Sequence, residues 1–276
     1  MRHSLLVKIC QLITASLLFV WVSSAGPLTG AAIVANPDDV NEKLSDNLEW
    51  AFGGKTQKGW KLYLPLITSL LTSDSQTESR DFSKALAEWQ RRSGLQATGI
   101  LDQTSWMKMV GYWQSRRSGD HTVPSAGLVT VPSESFFDST RPAELRQVEA
   151  ATYAAYQRMA AAAIKELGLD KSPQGSEAVN YFKIISAFRS PEYQRMLRAQ
   201  SPGSGRAGLA VNSPHFTGKA LDIYVGGEPV STRDQNRQVQ TNSVAYRWLV
   251  RNAARFGFIP YFYEPWHWEY NPTAAQ

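Results

Sequence analysis

The chain has 276 residues, of which 43% are hydrophobic, a formal net charge of +5 and a single cysteine. This length and composition suit one large or two smaller globular domains and exclude a long low-complexity chain. The cysteine, Cys10, lies close to the N-terminus, so the remaining chain has no disulfide, no thiolate metal ligand and no cysteine nucleophile.

Residues 1–25 have the pattern of a secretory signal peptide. Arg2 and Lys8 form a basic start, and an apolar run follows from Ile9 to Val22. The run is shorter than the ~20 residues that a membrane-spanning helix needs. We therefore expect cleavage after Ala25, no stable membrane insertion afterwards, and a mature chain in the periplasm, the cell wall or the extracellular space.

The charge of the predicted mature chain favours an anionic wall polymer as its partner. Removal of Arg2 and Lys8, with no acidic residue, leaves a net charge of +3. Nucleic acid is the general alternative for a basic chain. The export signal argues against it, and the sequence has no basic run of the nucleic-acid-binding type.

Residues 26–59 are predicted to form a loose lead-in, because Gly26-Pro27 and Asn36-Pro37 are turn-forming pairs. Residues 60–112 are predicted to form a small all-α module of three helices. Gly94 is placed to end the second helix, and Asp102 to cap a third that carries Trp106. The apolar positions at helical spacing are Tyr63, Leu66, Ile67, Leu70, Leu71, Phe82, Leu86 and Trp89.

Residues 113–139 are rich in glycine, proline and serine and are predicted to be a linker. His121 lies in this segment and is not expected to bind a metal, because a flexible linker does not fix the geometry of a ligand. Residues 140–276 are predicted to form an α+β domain. Its expected helices are 141–169, one that starts at Pro191, and 244–256, and its expected strands are 181–186, 220–225 and 258–263.

The candidate chemistry lies in two short segments of this domain. Two of the four histidines stand beside carboxylates: His215 lies seven residues before Asp222, and Glu264 lies three residues before His267. Zinc catalysis needs three protein ligands and an open position for water, with a base to accept the proton of that water. His215, Asp222 and His267 are therefore candidate ligands of one Zn²⁺ per chain, and Glu264 is the candidate base.

Each segment alone is equally compatible with a structural histidine or a turn, because short motifs carry a false-positive risk. Both segments in one exported chain favour the metal site. Positions three apart on an ideal strand face opposite sides, so Glu264 and His267 can converge only if the chain bends at Pro265.

These segments resemble the VanY-type D-alanyl-D-alanine carboxypeptidases, zinc peptidases of the LAS group. The resemblance covers roughly residues 140–272. Phe188 stands where tyrosine is common in the family. The matching residues are Ser213, His215, Gly218, Ala220 and Asp222 in the first motif, Glu264, Trp266 and His267 in the second, and Ser186, Arg189, Ser190 and Gln194 upstream.

Residues 60–112 resemble a peptidoglycan-binding three-helix module. The expected architecture is therefore a small antiparallel sheet with flanking helices that carries a zinc site, preceded by the helical module.

The resemblance implies hydrolysis of the terminal D-Ala-D-Ala bond of peptidoglycan stem peptides. It makes Arg189 a catalytic residue that stabilises the charge of the tetrahedral intermediate or pairs with the substrate carboxylate. It makes Ser213 and Gln194 substrate contacts. An endopeptidase that cuts within the stem peptide or a crosslink is one alternative, and a non-catalytic peptidoglycan-binding protein is another.

Overall fold

The protein is described by a computed structural model that covers residues 36–72, 82–173, 175–204 and 209–275. The predicted signal peptide, with Cys10, lies outside the described residues. The α+β class predicted from the sequence is confirmed. Its helices are α1 Pro37–Asn47, α2 Leu64–Thr72, α3 Phe82–Arg92, α4 Gln103–Ser115, α5 Ala150–Leu167, α6 Pro191–Gln200, α7 Asp234–Asn242, α8 Val244–Asn252 and α9 Pro272–Ala275.

The strands form two small pairs and one sheet of four, all with antiparallel neighbours. The four-stranded sheet has the order β5-β6-β8-β7. Strand β7 contains Pro260 and lies at the edge, as the proline predicts. The strands are β1 Glu49–Phe52, β2 Lys55–Lys58, β3 Leu128–Thr130, β4 Gln147–Glu149, β5 Ile184–Ser186, β6 Ala220–Ile223, β7 Phe258–Pro260 and β8 His267–Tyr270.

The prediction of a loose lead-in is wrong for its described part. Residues 37–47 form helix α1, and residues 49–58 form the β1-β2 hairpin. The turn-forming residues are helix-starting residues here, since the Asn36 side chain accepts from the Asp38 amide and Pro37 occupies the first turn. The three predicted helices of residues 60–112 are present as α2, α3 and α4, and Asp102 caps α4 through the amide of Ser105.

The prediction that residues 113–139 are a linker is also contradicted where regular elements occur. Helix α4 continues to Ser115, and Leu128–Thr130 is strand β3. The predicted helix 141–169 starts late, because Gln147–Glu149 pairs with β3 as strand β4. Helix α5 begins only at Ala150 and ends at Gly168, whose φ of 65° is left-handed.

An aromatic cluster joins the N-terminal helices to the four-stranded sheet. Phe262, in the turn after β7, packs against Phe52 at 4.8 Å and against Trp113 at 5.9 Å between ring centroids. Tyr63 and Trp106 also contact this ring, at 5.6 and 6.5 Å. Residues 35–276 accordingly form one compact unit rather than two separate bodies.

No helix among the described residues is both long and apolar enough to cross a membrane.

Candidate metal centre

Three candidate ligand atoms lie together in the interior. His267 Nδ1 is 3.0 Å from Asp222 Oδ1, and His215 Nε2 is 3.2 Å from the same oxygen. The two histidine nitrogens are 3.2 Å apart. All three residues are buried, and they are the one such group of three that the described residues contain. The structure thus brings together the three ligands predicted from the sequence.

The sheet and a short helical turn create this arrangement. Asp222 on β6 is the register partner of His267 on β8, so the two side chains lie side by side on neighbouring strands. His215 lies in the 3₁₀ helix Pro214–Thr217, which leads into β6. Gly218 ends that turn with a φ of 71°, and a Cβ at this position would lie 3.0 Å from the Glu149 amide nitrogen. Glycine is therefore required where the chain passes from His215 to the strand.

In each imidazole ring, the nitrogen that points away from the other histidine lies near an oxygen acceptor. His215 Nδ1 lies 2.7 Å from the carbonyl oxygen of Ala187, and His267 Nε2 lies 3.3 Å from Glu269 Oε1. If each of these nitrogens donates its hydrogen, the lone pairs of His215 Nε2 and His267 Nδ1 face each other and Asp222. Oxygen partners of this kind fix the tautomer and orientation of metal-binding histidines.

This donor set fits a zinc ion. Two lone pairs and a carboxylate oxygen at 3.0–3.2 Å repel one another unless positive charge lies between them. Zinc bound at its usual ~2.0–2.2 Å to tetrahedral ligands would separate the donor atoms by roughly 3.3–3.6 Å, slightly more than the distances here. Two nitrogens and one oxygen are also the ligand types that catalytic zinc sites use.

Asp222 is held in its ionised form by the groups around it. Arg189 donates through Nη2 to Asp222 Oδ2 and through Nε to Ser186 Oγ at 2.9 Å. Burial by itself would raise the pKa of Asp222, but the charges of His215 and Arg189 outweigh it and hold the pKa well below its usual range. Arg189 therefore fixes a candidate ligand in both position and charge.

The two histidines have opposite pKa shifts. Burial and the positive charge of Arg189 lower the pKa of His215 to about 4. Burial also opposes protonation of His267, but hydrogen bonds to Asp222 and Glu269 prevail and raise its pKa to about 9. His267 binds a metal ion only through a deprotonated ring nitrogen, so protonation of His267 and metal binding compete with each other.

Glu264 lies in the predicted bend before β8. The chain turns at residues 262–263 and again at Pro265-Trp266, with the His267 amide donating to the Glu264 carbonyl at 3.0 Å. The bend expected at Pro265 is thus confirmed. Burial raises the pKa of the Glu264 carboxyl to about 8, against a smaller lowering by His267.

A cavity of about 280 Å³ connects these groups. Residues of α6 and of the turn before β8 contribute to its walls. Its walls include all four residues of the predicted zinc site and Arg189. The other lining residues are Arg117, Leu197, Ser201, Leu209, Ala210, Ser213, Pro214, Val230, Thr232, Tyr261 and Trp266.

Of the two predicted substrate contacts, Ser213 lines the cavity and Gln194 does not. Ser213 lines the cavity, and its hydroxyl accepts from the His215 amide at 3.3 Å. Gln194 is buried on α6 outside the cavity lining, and its side chain donates to the carbonyl of Ala210 at 2.9 Å. His121 is not part of the metal group.

Sequence reasoning missed Glu269 and Arg117. Glu269 lies two residues after His267 on the same strand, and this spacing places both side chains on one face. That signal was available in the sequence. Arg117 precedes Glu269 by 152 residues, and no local pattern indicates that the two side chains meet.

Residues 146–273 match the family model described as VanY: D-alanyl-D-alanine carboxypeptidase. No curated protein matches the chain. Among solved structures, the chain is similar to the LdcB LD-carboxypeptidase, whose structure is described as revealing the molecular basis of peptidoglycan recognition. The two are 22% identical, the similarity covers 56% of this chain and 73% of that chain, and the TM-score is 0.41.

Proposed function

Because residues 146–273 match the family model described as VanY: D-alanyl-D-alanine carboxypeptidase, we propose that the protein is a zinc peptidase of peptidoglycan stem peptides. The bond that we assign to it is the terminal D-Ala-D-Ala bond. The observation that carries the proposal is the meeting of three buried ligand atoms and a buried glutamate in one cavity. A non-catalytic binding protein has no need of that combination.

His215, Asp222 and His267 would hold the ion. A zinc ion held there supplies Lewis-acid polarisation of the scissile carbonyl and of the attacking water. Glu264 accepts the proton of that water and transfers it to the amine of the leaving D-alanine. Burial raises the pKa of the Glu264 carboxyl, which makes its carboxylate a stronger base than that of an exposed glutamate.

Arg189 has a structural task and, in this proposal, a catalytic one. Its bonds to Asp222 and Ser186 fix the guanidinium at the wall of the cavity. There its positive charge stabilises the oxyanion that develops during attack, or binds the terminal carboxylate of the substrate. Ser213 lines the same cavity and is assigned as a hydrogen-bond partner for the peptide backbone.

The rest of the chain is assigned by the same proposal. Residues 1–25 direct export, and the domain of residues 140–276 works on the cell wall outside the cytoplasm. The helices of residues 60–112 are proposed to bind peptidoglycan. Binding of the polymer by the same chain would raise the local concentration of stem peptides around the site.

The direct test is incubation of residues 26–276, loaded with zinc, with a stem pentapeptide that ends in D-Ala-D-Ala. Mass spectrometry should show the loss of one alanine, and a chelator should prevent it. A stem tetrapeptide and a crosslinked dimer are incubated in parallel.

Each substrate separates one alternative from the proposal. Cleavage of the tetrapeptide alone would assign a different carboxyl-terminal bond, and an internal cut in the dimer would establish an endopeptidase. Binding of peptidoglycan with no cleavage of any substrate, in protein that holds stoichiometric zinc, would exclude the proposed reaction.

A further inference from the structure

Arg117 reaches the candidate site from outside the matched domain. It lies two residues after the end of helix α4, and its amide donates to the carbonyl of Gln114 at 3.2 Å. Helix α4 is itself placed by Trp106 and Trp113, which pack on Phe262 in the turn before β8. By fixing the position of α4, these aromatic contacts place Arg117 in the wall of the cavity beside β8.

The partner of Arg117 is the buried carboxylate of Glu269. Glu269 Oε1 accepts from Arg117 Nε at 2.7 Å, and Nη2 of the same guanidinium lies at 2.6 Å. The amide of Ser118 donates to the other oxygen at 3.1 Å. The side chain of Glu269 is 3% exposed and that of Arg117 is 23% exposed, so this pair is not an ordinary surface ion pair.

Glu269 in turn holds His267. Its Oε1 atom lies 3.3 Å from His267 Nε2, on the side of the ring opposite the candidate metal position. A buried carboxylate needs compensation by hydrogen bonds and positive charge, and Arg117 with Ser118 provides both. Without Arg117, the carboxylate that orients His267 would lose the charge that makes its burial favourable.

The guanidinium of Arg117 is also held on its face. It lies 4.0 Å from the ring centroid of Tyr261, whose ring meets that of His267 edge-on at 5.7 Å. The hydrogen bonds and the stacking together define one orientation for the arginine. Arg117 thus contacts both Glu269 and Tyr261, two side chains that contact the ring of His267.

We propose that Arg117 is a positioning residue of the metal centre, which acts through Glu269 to fix the ring of His267. The proposal rests on the proposed function only in taking His267 as a metal ligand. It makes the segment after α4 a part of the active site. The matched domain of residues 146–273 is then incomplete without it.

The test measures metal affinity as well as turnover. Zinc affinity is determined by competition with a chromophoric chelator for the full mature chain and for Arg117→Ala. Loss of such a supporting partner typically weakens metal binding by ~10–100-fold, and we expect a loss of that order together with a lower kcat. Arg117→Lys retains the charge but not the forked geometry and should recover part of the affinity.

Arg116→Ala is the matched control. It removes an arginine from the neighbouring position, where the side chain contacts Tyr112 and the carbonyl of Ala274 instead of Glu269. Its zinc affinity should equal that of the unmodified protein. The visible spectrum of cobalt-substituted Arg117→Ala should also differ from that of the control, because the spectrum reports the geometry of the ligands.

Glu269→Gln shows whether Arg117 acts through Glu269. If it does, Arg117→Ala combined with Glu269→Gln should bind zinc no more weakly than Glu269→Gln alone. Glu269→Gln also decides the question if Arg117→Ala does not fold, because unchanged zinc affinity in that variant would overturn the proposal.

Two further outcomes are decisive. Unchanged metal affinity with a raised KM in Arg117→Ala would make Arg117 a substrate contact and overturn the positioning role. Absence of turnover in the unmodified protein would count against the proposed reaction, and the affinities of the variants would still decide the role of Arg117.

Discussion

His267 Nδ1 lies 3.0 Å from Asp222 Oδ1, across the pairing of strands β8 and β6. The two residues are 45 positions apart in sequence, and the antiparallel register makes them direct neighbours. His215 joins them from a turn instead of a strand. The site therefore depends on one strand pairing and one tight turn, and changes to either should affect metal binding.

His215→Ala should lose zinc and activity together, because two of the three donor atoms do not complete a catalytic zinc site. Elemental analysis of the purified protein, together with turnover of the stem pentapeptide, checks this. His121→Ala is the matched control, since His121 lies outside the metal group and should leave the zinc content unchanged. Stoichiometric zinc in His215→Ala would remove His215 from the ligand set.

Glu264→Gln should lower kcat by ~10²–10⁴-fold, the usual contribution of a general base, while zinc remains bound. The amide keeps the size of the side chain but does not accept the proton. The kinetic measurement is paired with zinc analysis of the same preparation. Loss of stoichiometric zinc would mean that Glu264 is a ligand rather than the base.

Gly218→Ala should destabilise the protein and weaken zinc binding. Alanine would have to adopt a φ of 71°, and its Cβ would lie 2.7 Å from Leu128 Cδ2 and 3.0 Å from the Glu149 nitrogen. The left-handed conformation alone costs an alanine ~1 kcal/mol. Relief of the contacts would move the turn that carries His215.

Gly168→Ala is the control that measures the cost of a left-handed backbone without the close contacts. Gly168 has a φ of 65°, and a Cβ there would meet nothing within 4 Å. Urea unfolding of both variants should therefore show the larger loss of stability for Gly218→Ala, and only that variant should bind zinc more weakly. If both variants lose the same free energy of unfolding and Gly218→Ala binds zinc as tightly as the unmodified protein, the close contacts at Gly218 do not position His215.

Glu149→Ala should lower the free energy of unfolding by about 1 kcal/mol at pH 7, because Glu149 caps helix α5. Its carboxylate accepts from the amides of Ala151 and Thr152 at 3.2 and 2.8 Å. Burial opposes ionisation, but the hydrogen bonds from Thr152 and Ala151 lower the pKa of Glu149 below its usual 4.5.

The sign of this pKa shift defines how the effect depends on pH. A carboxyl group whose pKa is lowered by folding stabilises the protein above its unfolded pKa and loses that contribution as the pH falls through the folded pKa. The difference between Glu149→Ala and the unmodified protein should be full above pH 4.5 and shrink below it. A difference that is the same at pH 7 and pH 3 in urea unfolding would contradict the capping role.

The sequence was sufficient for the parts of the site that local patterns encode. His215, Asp222, Glu264 and His267 lie in two short segments, and the bend at Pro265 follows from the face that each strand position must take. The start of α4 is equally local, since the Asp102 side chain accepts from an amide three residues later, as its position before the helix predicts.

Features that depend on distant pairing were not predictable from one sequence. The apolar stripe that begins at Leu145 and Val148 and the alanine-rich run after it predict helix for residues 147–149, yet their pairing with β3 outweighs helix propensity there. The roles of Arg117 and Glu269 likewise arise from contacts 152 residues apart. The predicted linker failed for the same reason, because turn-forming composition does not reveal a buried partner elsewhere in the chain.

The N-terminal helices and the sheet are expected to unfold as one cooperative unit. Phe262 is 1% exposed, lies beside the candidate base and packs against rings from β1, α4 and the turn before α2. Phe262→Ala should lower the free energy of unfolding by ~3–5 kcal/mol, as for other buried phenylalanines. The loss should appear in a single transition when tryptophan fluorescence and far-UV circular dichroism are followed in urea.

Phe137→Ala is the control for this prediction. Phe137 is 36% exposed and packs on Tyr224, outside the aromatic cluster of Phe262, so its loss should cost less. Because the Phe262 ring packs on α4 and the chain reaches Arg117 two residues after α4 ends, Phe262→Ala should also weaken zinc binding, whereas Phe137→Ala should not. Two separate unfolding transitions in the unmodified protein would show that the helices form an independent module, and would remove the link between the cluster and the metal centre.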